Sequence, residues 1–233
     1  MPPGEPSSAI SSHSPTTANS IAAVSAAAGL SYKTAWLLKH KVKELMRLRE
    51  DSRKLSGRVE IDDAYLGSEL SRGKAGRGSE NKVPFIAAVQ TTESGAPVLV
   101  CLSPRPFTKE SIEAFAAKSL AAPATLVSDG LGCFTAVQGS GILHEPHVTG
   151  GGAASVEHPE FLAVNTVLGN LKTAFAGTYH AFDFTKYSHR YLAQVQYLFN
   201  RRYDLRAILA RLIRAACCAT PHPLRALQAA EHS

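Results

Sequence analysis

The sequence predicts an α/β domain in which helices pack on a mixed sheet, preceded by a small helical segment. Three features point there. Consecutive β-rich runs, separated by turn signals, occupy positions 57–103. A helix and then a short apolar strand follow, and the remainder of the chain has helical periodicity. Ahead of the strands stand two helical patterns split by a glycine.

Residues 1–19, MPPGEPSSAISSHSPTTAN, are rich in Pro, Ser and Thr and are expected to be disordered. From Ser20 the composition changes. Residues 20–56 hold a short alanine-rich helix, a break at Gly29-Leu30-Ser31 and a longer helix from Tyr32, with Ser31 as its natural N-cap. This is the layout of a helix-turn-helix, partial here because its first helix is short. The second helix carries Lys33, Lys39, Lys41, Lys43, Arg47 and Arg49, and Arg53 and Lys54 follow. The cluster points to DNA phosphates, although a solvated helical hairpin has the same pattern.

The stretches GRVEIDDAYLG (57–67), VPFIAAVQTT (83–92) and PVLVCLS (97–103) read as strands, with the glycine-rich, basic SELSRGKAGRGSENK as a loop between the first two. TKESIEAFAAKSLA (108–121) is a helix capped by Thr108, with Glu110 in its first turn. ATLVSDG (124–130) is a short buried strand that ends on an acid, and GGGAASVEHPE (150–160) is a flexible connection. In FLAVNTVLGNLKTAFAGTYH (161–180), Phe161, Val164, Leu168, Leu171 and Phe175 form one apolar stripe, and Gly177 reads as the helix stop. Asn165 and Lys172 lie two turns apart on the face bordering that stripe. Two further helices, about 183–201 and 204–218, precede a tail at 219–233.

The 233 residues are 45% hydrophobic and 19% charged, ordinary values for a soluble globular protein. A net charge of +6 implies an anionic partner, of which nucleic acid is the commonest. Cys101, Cys133, Cys217 and Cys218 have no metal-ligand spacing and are read as reduced, buried small hydrophobes. With no apolar run of spanning length and no basic-then-apolar leader, a cytoplasmic protein without a membrane partner is expected.

Acidic residues mark the chemistry. Asp62 and Asp63 lie within an otherwise apolar strand, where a charge is costly unless it is paired or binds a cation. Strand alternation puts Asp63 on the face opposite Asp62. Asp129 ends its strand and reads equally well as a cap for a helix starting at Gly130. Two carboxylates from neighbouring strands and a polar residue from a helix on the sheet form an oxygen-rich set. Such a set suits Mg²⁺ or Mn²⁺, and a pair of these ions can serve phosphodiester transfer. Taken alone, the helix bearing Asn165 and Lys172 is an ordinary surface helix.

The segments VEIDDAYLG, VSDGLGCF, VTGGGAASVEHPEF, VNTVLGNLKTAFAGTYHAFDFTKYSHRYL and YLFNRRYDL closely resemble bacterial insertion-sequence transposases of the ISXO type. GLSYKTAWLLKHK resembles the portion just upstream in those proteins, so the likeness runs from about Ser20 to about Leu212. The resemblance implies an RNase H-like catalytic domain at 57–218 of the DDE type, acting on its own element's DNA ends. It makes Asp62 and Asp129 the first two catalytic acids, Asn165 the third ligand of a DDNK variant, and Lys172 the basic residue beside the cleaved phosphate.

Two Mg²⁺ (or Mn²⁺) ions held by Asp62, Asp129 and Asn165 are then expected. The reaction implied is hydrolysis at the element's end, followed by attack of the freed 3′-hydroxyl on target DNA. An amide oxygen can coordinate Mg²⁺, but more weakly than a carboxylate. Glu157 and Glu160 are alternatives for the third acid. Lys186, Arg190, Arg201 and Arg202 are expected near DNA phosphates or on a solvated helix face, and His158 and His180 behind the ligands or in structural roles. Inverted repeats and target DNA are the implied partners, with a homodimer or higher oligomer on DNA, in the bacterial nucleoid.

Relatives usually open on a Cys-rich zinc ribbon. No Cys-x-x-Cys occurs here, so a truncated or frameshifted copy, or a misplaced start, is expected, and Ser68 stands where relatives often carry a second glycine. Two other functions stay open: a non-catalytic DNA-binding remnant, and an RNase H-like nuclease acting on another substrate such as hybrid duplex.

Overall fold

The computed structural model describes residues 21–67, 82–148, 158–178 and 184–229. The expectations for residues 1–19, for the loop from Ser68 to 81, for Glu157 and for His180 lie outside them.

Helices α1 (Ile21–Ala28) and α2 (Tyr32–Glu50) flank a turn at Gly29, whose φ of 62° suits a residue without Cβ. Ser31 caps α2 as expected, its hydroxyl accepting from the Thr34 amide at 3.2 Å. The strands β1 (Leu55–Leu66), β2 (Val83–Thr91) and β3 (Pro97–Pro104) form an antiparallel meander. Helix α3 (Lys109–Ser119), capped by Thr108, leads into β4 (Leu120–Ser128), which returns parallel to β1. A 3₁₀ helix (Gly132–Ser140) and β5 (Leu143–Pro146), parallel to β4, follow. Helices α4 (Leu162–Thr178), α5 (Phe184–Phe199), α6 (Ile208–Cys218) and α7 (Leu224–Ala229) complete the chain.

The strand order is β3-β2-β1-β4-β5, with the first three strands antiparallel and the last two parallel to β1. This is the mixed sheet of an RNase H-like fold. β5 escaped the sequence because it has four residues of which only His144 is buried.

Alternation along β1 divides the interior in two. Val59 and Ile61 join Ile86, Ala88, Ile112, Phe115 and Phe134 on the α3 side. Ala64 and Leu66 join Val127, Val164, Leu168, Leu171 and Leu192 beneath α4 and α5. The predicted stripe of 161–175 is therefore the face that α4 lays on the sheet. Gly177 falls inside its last turn, because the helix runs to Thr178.

The edge strand β3 is protected by α5. Gln196 accepts from the Leu102 amide at 2.9 Å, and Asn200 accepts from the Val100 amide at 2.8 Å while donating to the Val100 carbonyl at 3.0 Å. The cysteines are all free, but burial holds only for Cys133: Cys101 is half-buried, and Cys217 and Cys218 are exposed on α6. No described helix is long and apolar enough to cross a membrane.

Candidate active site

β1 and β4 run side by side with Ile61 opposite Ser128, so the next positions, Asp62 and Asp129, are neighbours where the β1–β4 ladder ends, in the middle of the sheet. Asp62, Asp63 and Asp129 each offer a carboxylate oxygen, and these oxygens all lie within 4.8 Å of one another. Asp63 was expected to stand apart on the other face. The last β1–β4 pair is Ile61–Ser128, however, so no β4 residue stands beside Asp63. Past the end of a neighbouring strand, side chains from both faces can converge.

The local backbone fixes these acids. Asp62 Oδ1 accepts from the Asp63 amide at 2.8 Å, and Asp129 Oδ1 accepts from the Leu131 amide at 3.0 Å. Asp129 caps no helix: the 3₁₀ helix starts at Gly132 with Leu131 as its N-cap and no side-chain cap hydrogen bond, and Asp129 instead closes a two-residue turn while its carboxylate belongs to the cluster. Behind it, buried Ser128 shares a 2.8 Å hydrogen bond with His144 Nε2 and accepts from the Gly130 amide at 3.2 Å. Burial, then the charges of Asp63 and Asp129, push the Asp62 carboxyl up to about 6, against the Asp63 amide and the charge of Lys172.

Helix α4 is anchored to the same strand. The Val164 amide donates to Glu60 Oε2 at 2.9 Å, two residues before Asp62 on the same face of β1. Asn165, half-buried, is the next residue of the helix; exposed Lys172 lies two turns on, and its charge reaches Asp62. Glu160 does not join the cluster. Its carboxylate accepts from Arg58 Nη2 at 2.5 Å, back towards the start of β1. His158 accepts from the Glu160 amide at 3.3 Å through Nδ1, capping the 3₁₀ turn that opens into α4.

The ISXO2-like transposase domain matches residues 54–200, well over half of the chain. The chain belongs to this transposase family. No curated protein matches it. Among solved structures it is similar to the Mos1 strand transfer complex, with a TM-score of 0.35 and 14% identity over 79% of this chain and 62% of that one. It is also similar to the Mos1 mariner paired-end complex with Mn, with a TM-score of 0.32 and 16% identity over 77% and 60%. The chain spans about three fifths of the length of those proteins.

In this transposase domain the basic residues divide by burial. Lys33 and Lys41 on α2 and Lys172 on α4 are exposed; Lys39 and Lys186 are half-buried beside Tyr191 and Tyr187. Two expected phosphate contacts are interior instead. Lys43 is 2% exposed, with Nζ 2.9 Å from the centre of the Tyr191 ring. Burial, with the neighbouring charges of Lys39 and Arg190, pushes its amine down to about 5. Arg190 is 0% exposed: Nε donates to Glu44 at 3.1 Å and Nη1 to the Leu227 carbonyl at 2.9 Å.

Arg201 and Arg202 are also structural. Arg201 pairs with Glu50 at 2.5 Å, and Arg202 donates to the Val98 carbonyl at 3.1 Å and to that of Pro97. The physical reason is common to all four: α2 lies along α5, and these cations face that packing or the edge of β3. The sequence missed Glu60, although its signal was present, since Glu60 and Asp62 are acids on one face of a mostly apolar strand.

Proposed function

We propose that this chain cuts DNA at the ends of its insertion sequence and joins the freed 3′ ends to target DNA in a divalent-metal-dependent reaction. The observation that carries the proposal is the convergence of Asp62, Asp63 and Asp129 within 4.8 Å, in a domain of the ISXO2-like transposase family.

The donor set fits a hard cation. It is all oxygen, and the Asp62 carboxyl is raised first by burial and then by the charges of Asp63 and Asp129, both of which a bound cation would offset. Asp62, Asp129 and the Asn165 amide oxygen would hold Mg²⁺ or Mn²⁺, with Asp63 close enough to contribute. When bound, a pair of such ions supplies charge stabilisation to the attacking and departing oxygens of the phosphodiester. Lys172, exposed and close enough to Asp62 to affect its titration, presents its ammonium to a phosphate oxygen beside the cut. Lys33, Lys39 and Lys41 on α2, with Lys186 on α5, supply contacts to the flanking DNA backbone. Residues 20–56 then act as a DNA-gripping helical segment on a catalytic domain spanning 57–218. Joining two ends in one event requires two copies, hence a homodimer or larger assembly on DNA.

The test is Mg²⁺-dependent nicking of a duplex carrying the element's inverted repeat, with unrelated duplex and RNA·DNA hybrid as comparisons. Repeat-dependent cutting that disappears in Asp62→Ala and Asp129→Ala is expected. Cutting retained by either variant rejects the assignment, and preference for hybrid duplex reassigns the substrate.

A further inference from the structure

Glu60 on β1 is enclosed by partners from its own chain. It is 1% exposed, and both oxygens are engaged. Oε1 accepts from Arg58 Nη1 at 2.6 Å, and Oε2 accepts from the Val164 amide at 2.9 Å. The same Arg58 guanidinium reaches across to α4's leading turn, donating through Nη2 to Glu160 Oε2 at 2.5 Å and to the Glu160 carbonyl at 3.1 Å. Burying a carboxylate is costly unless its lone pairs are filled, and here they are filled by groups that tie a helix to a strand. A carboxylate beside the leading turn of a helix is favoured by the helix dipole as well.

The placement matters because of what lies on either side. Along β1, Asp62 is two residues beyond Glu60, on the same face and about 7 Å away. Along α4, Asn165 directly follows Val164. A helix held at one amide in its leading turn and by a salt bridge one turn earlier has little freedom to rotate or slide over the strand. Rotation by one residue, about 100°, would swing Asn165 off the strand entirely.

We propose that Glu60, braced by Arg58, is a positioning residue that sets the rotation and height of α4 so that the Asn165 amide meets the Asp62–Asp129 pair. An amide is a weaker cation ligand than the carboxylate it replaces and gains less from long-range attraction. Its contribution therefore depends more on being placed correctly beforehand. This rests on the assignment of Asp62, Asp129 and Asn165 as a cation site, and the experiment keeps the two claims apart.

Mn²⁺ binding to the purified full chain, followed by electron paramagnetic resonance without DNA, provides the readout. Glu60→Ala weakens Mn²⁺ binding about tenfold, the usual scale for loss of a group supporting a ligand. In an Asn165→Ala background the same change has no further effect, because the ligand it positions is gone. Glu60→Gln keeps an oxygen for the Val164 amide and restores binding to near the wild-type level. Unchanged affinity in Glu60→Ala, losses that multiply with Asn165→Ala, or a Gln variant as weak as Ala would each overturn the proposal. If Glu60→Ala does not fold, Arg58→Ala takes its place in the same cycle with the same expected non-additivity, and multiplying losses overturn it there too. Asp62→Asn is the control: binding equal to wild type in that variant would remove the cation site itself, and the positioning role with it.

Discussion

Two regions of this molecule gather charge inside or beside the fold, and they do so in opposite ways. Between α2 and α5 the charges are mated: Glu44 with Arg190 at 3.1 Å, and Glu50 with Arg201 at 2.5 Å. At the end of β1 and β4 three carboxylates converge within 4.8 Å, and the first of them is pushed up to about 6. A mated charge holds elements together, whereas like charges gathered at one place favour whatever cation enters there. The first arrangement is architecture, and the second is what the proposed cation site requires.

The strongest way to break this contrast is to neutralise one charge in each region. Asp129→Asn should lower Mg²⁺-dependent cleavage of inverted-repeat DNA by at least about 10³-fold while leaving thermal stability near wild type. A variant that folds and still cuts removes the chemical half of the comparison. Arg190→Ala should do the reverse. It strands Glu44 without its buried partner, and loss of one member of such a pair costs about 3–5 kcal/mol in urea unfolding. An unchanged urea midpoint would show that the α2–α5 ion pair holds nothing.

A smaller effect tests the acidic cluster by pH. The Asp62 carboxyl titrates near 6 in the folded chain, against an ordinary value of 3.8. Between those values the folded state binds more proton than the unfolded chain, so this group's contribution to stability is lost as pH rises from about 4 through 6. Above pH 7, without divalent ions, the ionised group destabilises the fold. Asp62→Asn removes that term and should be more stable than wild type by about 1–2 kcal/mol at pH 8, discounted for partial exposure, but equal to it at pH 4. Added Mn²⁺ should reverse the order at pH 8. Unfolding curves at the two pH values decide it: a variant that loses stability at pH 8 without metal contradicts the raised titration.

How much of this was legible in the sequence follows from the same physics. Charges inside an apolar strand stand out, so Asp62 and Asp129 were readable, and so was the stripe of α4, because apolar periodicity reports burial directly. Asp63 was read as a residue of the opposite face, and the sequence does not show that β4 stops at Ser128, beyond which its carboxylate can also approach those of Asp62 and Asp129. The α2–α5 contact was illegible for a different reason. Its inner faces carry His40, Lys43, Glu44 and Glu50 on one helix and Ser188, Arg190 and Gln196 on the other. These polar residues are interspersed with Ala35, Met46, Tyr191 and Tyr197 and so interrupt the hydrophobic stripe, and a count of lysines cannot tell an outward cation from an inward one.

That last distinction gives the finest test, since α2 carries both kinds of lysine two positions apart. Lys41 is exposed, whereas Lys43 is 2% exposed over the Tyr191 ring with its amine lowered to about 5. Only a charged, solvent-facing ammonium can release a counterion from DNA. Lys41→Ala should therefore weaken binding to any duplex and lower the slope of log affinity against log salt by about 1. Lys43→Met keeps the volume and removes a group already neutral at pH 7.5, so its slope should match wild type. Filter or anisotropy titrations across a salt series separate the two. A Lys43→Met slope reduced as much as that of Lys41→Ala would place the Lys43 amine on the DNA, and the division of α2 into a mated inner face and a DNA-facing outer face would fail.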